Sequence, residues 1–193
     1  MKKFLVVILV LVLIAVMVGG MYVGRRNEMV RKNEAVKAAW SEVDVVLQRR
    51  ADLIPNLVET VKGIAAQEVT VFTNVANARQ GLLGAKTPAD RIAANGQLDR
   101  ALVQVLALAE QYPQLKSNEN FLRLQDELAG TENRIAVERK RYNDSLQDYN
   151  TYIGLFPNSI FARWAGFQRN DAYFEASAGS REVPKVSFPG PKS

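Results

Sequence analysis

The residues that could support recognition chemistry are concentrated in one stretch, QRRADLIPNLVETVKG, residues 48–63. Inside an otherwise regular amphipathic pattern it places five unusual residues, Arg49, Arg50, Asp52, Pro55 and Asn56. Guanidinium, carboxylate and amide groups make strong hydrogen bonds, so one interpretation is a polar surface that binds a partner at a helix kink. The other interpretation is structural, because a proline ring blocks one helical hydrogen bond and neighbouring polar groups solvate the freed carbonyl. The sequence leaves both open.

Composition removes most catalytic chemistry. The chain contains no cysteine and no histidine, which excludes disulfides, thiol chemistry, Cys-containing zinc sites and histidine acid–base catalysis. No serine lies at a turn suited to a nucleophile, and no calcium loop of the D-x-[DN]-x-[DN]-G type is present. We therefore predict a protein that is not an enzyme and that has no cofactor and no metal site.

The excess of positive charge lies beside the apolar N-terminal run and in the C-terminal tail. The net charge is +5. Residues 24–50 carry seven basic and four acidic residues, whereas residues 51–155 carry eleven basic and thirteen acidic ones. A nucleic-acid-binding domain concentrates positive charge on its folded face. We therefore predict that nucleic acid is not a partner.

An uncharged apolar run, FLVVILVLVLIAVMVGGMYV, extends over residues 4–23. As a helix, a run of about 20 residues spans roughly 30 Å, the hydrocarbon thickness of a bilayer. We interpret it as a retained single-pass anchor that contacts membrane lipid. A cleavable signal peptide is the alternative, but the run is long for one and contains no A-x-A site. Basic residues between 25 and 37 outnumber Lys2 and Lys3, so the positive-inside rule favours a cytoplasmic C-terminal part.

Apolar residues recur at steps of three and four along residues 36–82, which is typical of one helix face. They are Val36, Trp40, Val43, Leu47, Ile54, Leu57, Val61, Ile64, Phe72, Val75 and Leu82. Since the phase is kept across Pro55, we predict that the helix continues through it with a kink or a brief interruption.

Two further long helices and a short one follow. Thr87 and Pro88 form a helix start with Asp90 in its first turn, and Ser117 or Asn118 can cap the next helix. The segment NSIFARWAGF, residues 158–167, predicts a short helix that folds back.

Amphipathic helices with short connections can bury their apolar faces only against one another. The predicted fold is all-α, with an N-terminal transmembrane helix followed by an antiparallel bundle of three long helices plus a short C-terminal helix. The predicted divisions are an anchor over residues 1–24, a helical bundle domain over 25–175, and a flexible tail over 176–193 that contains proline and glycine.

A second polar group, Glu132, Asn133 and Arg134, lies among predicted inward positions of the third long helix. Buried polar side chains need partners, so we predict a buried polar pair in which a carboxylate here contacts Arg49 or Arg50 across the helices. Exposure to water is the alternative.

Aromatic residues offer two more candidates. Tyr142 and Tyr149, each followed by asparagine, are seven residues apart and so share a helix face. The first interpretation is core tyrosines whose hydroxyls reach the bundle edge, and a groove that contacts a peptide or lipid is the alternative. Near the end, Trp164 and Phe167 either cover the core or, with flanking arginines, lie on a membrane surface.

Two blocks of the chain resemble the LemA family. They are KAAWSEVDVVLQRRADLIPNLVETVKG and YPQLKSNENFLRLQDELAGTENRIAVERKRYNDSLQDYNTYIGLFP, in that order, and the resemblance extends from about residue 22 to residue 174. It implies one membrane helix followed by a helical bundle, with no established enzymatic activity, and the family's similarity to a magnetosome-formation protein hints at membrane organisation. Many relatives carry a lipobox cysteine instead of a full membrane helix, which would place the bundle outside the cytoplasm. The orientation therefore stays open.

The residues and the resemblance together predict a non-catalytic scaffold or adaptor of the bacterial envelope. We expect it to be held in the inner membrane by one span, and to bind other envelope proteins, whose identity is open, or to form a homo-oligomer. The alternative is a membrane-shaping protein that acts by homo-oligomeric assembly at the bilayer.

Overall fold

The structure, a computed structural model, describes residues 2–174. Six helices make up this part of the chain: α1 Lys2–Lys62, α2 Val69–Gly84, α3 Pro88–Gln111, α4 Pro113–Lys116, α5 Glu119–Gly154 and α6 Asn158–Ala165. No strand occurs among these residues. The predicted all-α class is confirmed.

The apolar run and the first bundle helix are one continuous element. α1 contains 61 residues, which corresponds to a length of about 90 Å. Its N-terminal part includes an 18-residue window of mean hydropathy 3.2, none of it buried. From Met29 onward one face of the same helix is buried against the bundle. By length and composition, α1 is the one helix among the described residues that could cross a membrane.

The predicted helix over residues 36–82 is divided in two. α1 continues through Pro55, as predicted, and the helix is not interrupted there. It ends at Lys62, however, and residues 63–68 form a turn before α2 begins. One unbroken helix over 36–82 would measure about 70 Å, longer than its partner α5 at about 54 Å. Part of its apolar face would then lack a neighbour, whereas folding α2 back buries that face.

The predicted helix starts agree with the structure. Thr87 accepts a hydrogen bond from the Asp90 backbone N–H at 3.1 Å, with Pro88 in the first turn of α3. At α5, Asn118 and not Ser117 is the cap, and it accepts from the Phe121 N–H at 3.0 Å. These bonds satisfy backbone donors that have no partner inside the helix.

The helices pack as two pairs around one core. α1 lies along α5, α2 lies along α3, and α1 also contacts α2. Lys32 in α1 pairs with Asp148 in α5 at 2.6 Å, while Arg50 further along α1 pairs with Glu132 earlier in α5 at 2.6 Å, so the two helices are antiparallel. Large residues from all four helices fill the interior, among them Leu47, Leu57, Leu82, Leu98, Ile135 and Leu146.

The short helix α6 packs on both α1 and α5. It ends at Gly166, whose φ of 78° is left-handed and favours glycine. Phe167 packs against the core, but Trp164 is 71% exposed, so the expectation that Trp164 covers the core is wrong. Beyond α6 the chain continues without helix to residue 174, and the predicted tail over 176–193 lies outside the described residues.

Candidate functional site

Pro55 lies inside α1 with its ring exposed. Because proline has no N–H, the carbonyl one turn earlier lacks its usual helical hydrogen bond. The Ala51 carbonyl, which a residue other than proline at position 55 would bond, instead accepts a hydrogen bond from Arg79 Nε at 2.8 Å. Arg79 belongs to α2, so the proline creates an attachment point between two helices. Its neighbours Asp52 and Asn56 do not supply this bond. Asp52 instead accepts one from Gln48 at 2.9 Å.

This arrangement predicts a coupling between two substitutions. Arg79→Met should lower the free energy of unfolding by about 1–3 kcal/mol, because the buried Ala51 carbonyl loses its donor. In a Pro55→Ala background the restored backbone N–H can reach that carbonyl, so the same Arg79→Met change should cost about 1 kcal/mol less. A double-mutant cycle from urea unfolding of the full chain in detergent measures the difference. Equal costs in both backgrounds would contradict the assignment.

The two adjacent arginines have opposite environments. Arg49 is exposed, and together with the exposed Asp52 and Asn56 it follows spacings of three and four, so the three form one stripe on the α1 surface. Arg50 is only 6% exposed and extends into the bundle. The predicted group of five is therefore split into an outer stripe, on which Pro55 also lies exposed, and one buried cation.

Arg50 is the centre of a polar cluster formed by three helices, here called the Arg50 cluster: Arg50 of α1, Asn95 and Asp99 of α3, and Glu132 and Arg139 of α5. Arg50 Nη1 lies 2.6 Å from Asp99 Oδ1 and 2.6 Å from Glu132 Oε2. Arg139 lies 3.9 Å from both carboxylates. Two cations thus face two anions, and the cluster is neutral overall.

The structure brings together the predicted cross-helix contact between Arg50 and Glu132, but it does not bury the rest of that group. Asn133 and Arg134 are exposed, so the expectation that they belong to a buried pair is wrong. The physical reason is helix phase: Thr131, which is 3% exposed, takes the inward position, and the two residues after Glu132 turn away from it. Asn95 and Asp99 were missed, although a polar Asn95 on the apolar face of its helix is a signal that could have been used.

Burial raises the pKa of Asp99 above its ordinary value, and the Glu132 carboxylate raises it further, while Arg50 and Arg139 lower it. The net direction is upward, so the folded state holds this proton more tightly than the unfolded chain. The resulting contribution to stability is fully present below the ordinary aspartate pKa and is lost as the pH rises through the raised pKa.

Asp99→Asn should therefore cost more stability at acid pH than at neutral pH. Between about pH 4 and the raised pKa, the wild type gains stability from protonation that the amide cannot provide. Urea unfolding of both proteins across that range measures the difference. A cost that grows toward neutral pH would show that the ion pairs outweigh burial.

A groove of 440 Å³ opens beside the cluster between α3 and α5. Its lining combines the charged residues of the cluster with an apolar wall, and comprises Arg50, Asp99, Leu102, Val103, Leu106, Gln125, Leu128, Ala129 and Glu132. The carboxylates of the cluster are paired with Arg50 and Arg139, so the groove offers mainly apolar contact, while Arg50 Nε is buried without a hydrogen-bond partner among the described residues.

The repeated Tyr-Asn pairs of α5 hold the end of the described chain. Asn150 Nδ2 donates to the Asn170 carbonyl at 2.6 Å, and the Asn170 N–H donates back to Asn150 Oδ1 at 3.0 Å. Asn143 makes the same reciprocal pair with the backbone of Phe174, at 2.9 and 3.0 Å. We call Asn143 and Asn150 the asparagine clamp. The chain's own residues 168–174 thus cover this face of α5, and Tyr142 and Tyr149 are buried beneath them, in line with the first interpretation of these residues as core tyrosines.

The two tyrosines differ in their surroundings. Tyr142 is fully buried and its ring lies edge-on to Trp40, at 5.3 Å between centroids, and to Phe174, at 5.9 Å. Tyr149 donates from its hydroxyl to the Gln168 carbonyl at 2.9 Å. Burial raises the pKa of both tyrosines, so they remain neutral at physiological pH. Arg139 lies 5.0 Å from the centre of the Phe174 ring, which joins the clamp to the Arg50 cluster.

These features define a class of protein. An exposed apolar helix, long enough to span a bilayer, continues into a helical bundle whose interior holds an ion cluster. Among the described residues, no group of three or more possible metal ligands occurs. The chain belongs to the LemA family, whose family model matches residues 39–188. The match includes the Arg50 cluster and the asparagine clamp.

Relatives of known name agree with this assignment. The chain is 28% identical to Magnetosome protein MamQ of Magnetospirillum gryphiswaldense, covering 82% of this chain and 68% of that protein. It is 29% identical to Magnetosome protein MamQ 2 of Paramagnetospirillum magneticum, with the same coverage. It is 24% identical to Protein LemA of Metamycoplasma hominis, covering 86% of this chain and 74% of that protein. None of these names is that of an enzyme.

Proposed function

We propose that this protein is a non-catalytic scaffold of the bacterial envelope, held in the inner membrane by one span and presenting its helical bundle to other envelope proteins or to further copies of itself. The observation that carries the proposal is the continuity of α1. A span that passes without a break into a packed bundle transmits the position of the membrane directly to the bundle. A flexible tether would not do so.

Within residues 2–174, the apolar part of α1 before Tyr22 packs against no other element. Leu9, Leu11 and Leu13 are each about 60% exposed, and no described residue outside α1 covers this part of the helix. An exposed apolar surface of this size in water would drive aggregation. Hydrocarbon is the environment that fits it.

The anchor is tested by adding charge to it. Leu11→Arg/Ile14→Arg adds about 2.5–3.5 kcal/mol per arginine to the free energy of insertion, so the chain should leave the membrane fraction. Val45→Arg/Val137→Arg is the matched control, because both valines are exposed on the bundle, at 64% and 50%. Flotation with carbonate-washed membranes measures the outcome. A double-arginine anchor variant that still floats would overturn single-pass insertion.

The partner-binding part of the proposal rests on the outer stripe formed by Arg49, Asp52 and Asn56. These exposed polar residues lie on α1 beside Pro55, away from the ion cluster that uses Arg50. Because Arg50 is buried, alanine at Arg50 would test folding and not binding. Photo-crosslinking in cells from position 52, with the exposed position 133 as control, separates the two questions.

Crosslinks from position 52 to another envelope protein, absent from position 133, would support an adaptor. Crosslinks between copies would support self-association, and crosslinks no more frequent than at the control position would exclude the stripe as a binding surface.

The alternative, membrane shaping by homo-oligomeric assembly, predicts that the purified chain alone tubulates liposomes. The adaptor predicts that it leaves them spherical.

Membrane orientation has its own test. The positive-inside rule favours a cytoplasmic bundle, since basic residues follow the span. The chain has no cysteine, so Asn133→Cys gives one labelling position. An impermeant maleimide should label it in spheroplasts only after lysis, and labelling of intact spheroplasts would place the bundle outside.

A further inference from the structure

The corner formed by the end of α5 and by α6 carries exposed apolar side chains beside the place where α1 leaves the predicted bilayer. Leu155 is 57% exposed, Phe156 82% and Trp164 71%. We call Leu155, Phe156 and Trp164 the interface patch. Large aromatic side chains at such exposure are unusual outside binding surfaces.

The position of this corner along α1 is fixed by contacts. Phe161 and Ala162 of α6 are buried, and the Phe161 ring lies 6.0 Å from the ring of Trp164 and 6.0 Å from the ring of Tyr22 in α1. Tyr22 is at the end of the apolar run, one residue before Val23. Asn158 ties α6 to α5 by donating to the Tyr152 carbonyl at 3.0 Å. The patch therefore lies at the level at which the span meets water.

The chemistry of this corner fits the interface of a bilayer. Tryptophan is enriched at the boundary between hydrocarbon and headgroups, where its ring is partly buried and its N–H stays wet. Residues 154–167 contain one charged residue, the exposed Arg163, and no acidic one. Arg25 and Arg26 lie just beyond the span on α1. Basic groups around exposed aromatic rings favour anionic lipid headgroups.

We propose that the interface patch is a second membrane contact, inserted into the headgroup region of an anionic leaflet on the side of the bundle. Its exposed apolar surface is next to that of the span, so the same leaflet that surrounds Val23 can cover it. Two contacts, one through α1 and one through α6, fix the tilt and rotation of the bundle over the membrane, which a single span leaves free. This inference rests on the single-pass anchor proposed above.

The two tryptophans of the chain give a direct test. Trp40→Phe leaves Trp164 as the only tryptophan, and Trp164→Phe leaves Trp40, which is on α1 about 25 Å beyond Val23. Each variant of the full chain is reconstituted into vesicles of phosphatidylcholine and phosphatidylglycerol that contain lipids brominated near the headgroup end of the acyl chain. Flotation of the same samples confirms anchoring, and circular dichroism confirms the fold.

We expect brominated lipid to quench the emission of Trp164, because an interfacial ring lies at the depth of the bromine atoms, and to leave that of Trp40 unchanged. Phe156→Trp in the Trp40→Phe/Trp164→Phe background should be quenched too, which tests a second member of the patch independently. If the chain floats but neither position is quenched more than Trp40, the membrane contact is wrong while the anchor stands. A chain that does not float overturns both. Emission that shifts with protein concentration without lipid quenching would assign the patch to a second copy and overturn the lipid contact.

Discussion

Replacing Arg50 with methionine is expected to lower the free energy of unfolding by about 3–5 kcal/mol, the range for removing one partner of a buried ion pair. The Arg50 side chain is buried, with an exposure of 7%. Methionine fills much of the same volume, so the loss reflects charge more than cavity. Asp99 and Glu132 would then face each other with only Arg139, at 3.9 Å, to balance them.

The neighbouring residue provides the control. Arg49→Met makes the same chemical change at the adjacent position, where the side chain is exposed, and should alter stability by no more than about 0.5 kcal/mol. Urea unfolding of the full chain in detergent, followed by circular dichroism, compares the two. Equal effects would mean that Arg50 is not an essential ion-pair partner.

Neutralising Arg50 together with both of its carboxylate partners distinguishes charge from shape. In the triple variant Arg50→Met/Asp99→Asn/Glu132→Gln no carboxylate is left unpaired, and the remaining cation, Arg139, keeps its contact with the Phe174 ring. Replacing a buried ion pair by hydrophobic residues of similar volume is often neutral or stabilising by about 1–4 kcal/mol, and removal of the two unpaired carboxylates should act in the same direction. We expect the triple variant to recover most of the stability that Arg50→Met loses. Failure to recover it would assign the loss to packing around the guanidinium.

The sequence predicted the helices well because their signals are local. Thr87, which precedes Pro88, and Asn118 each cap a helix by accepting a hydrogen bond from the backbone N–H three positions later. Such signals can be recognised without knowing the fold. The break after Lys62 could not be predicted this way. Val61 and Phe72 are eleven residues apart, which is about three helical turns, so the apolar phase is the same on both sides of the turn. The break follows only from the tertiary structure, because α5 is too short to cover one unbroken helix over residues 36–82.

Of the contacts in the Arg50 cluster, only the one between Glu132 and an arginine of α1 could be predicted from the sequence. Glu132 was matched to an arginine because a polar residue near an apolar stripe needs a partner. Asp99 and Arg139 join the same cluster through the relative register of three helices, which tertiary packing sets. Likewise, the spacing of Tyr142 and Tyr149 predicted a shared face, but nothing local indicated that residues 168–174 return to cover it.

Removing the asparagine clamp should release those residues from the bundle. Asn143→Ala/Asn150→Ala abolishes two reciprocal pairs with backbone groups of Asn170 and Phe174. Each loss leaves a part-buried backbone donor and acceptor unpaired, at about 1–3 kcal/mol per residue. We expect the free energy needed to detach the segment to fall by about 2–6 kcal/mol, enough for the segment to leave the surface in a substantial fraction of molecules.

Two measurements detect the release of residues 168–174. In a Trp164→Phe background the emission of Trp40 should shift to the red, because Phe174 stacks on its ring at 6.1 Å in the intact protein and water would replace it. Trypsin should also cut faster after Arg169, which lies at the start of the released chain. Asn120→Ala/Asn133→Ala is the matched control, since it removes two exposed asparagines from the same helix.

The two readouts separate local release from loss of the whole fold. Tyr142 lies under Phe174 and is fully buried, so opening the clamp uncovers one side of the core and leaves the α1–α5 contact intact. Helical circular dichroism should therefore stay near the wild-type value while Trp40 shifts and cleavage accelerates. A red shift accompanied by loss of helix would mean that residues 168–174 are required for the bundle itself. No change in either readout would show that aromatic stacking on Trp40 and Tyr142, and not the asparagine clamp, holds the segment in place.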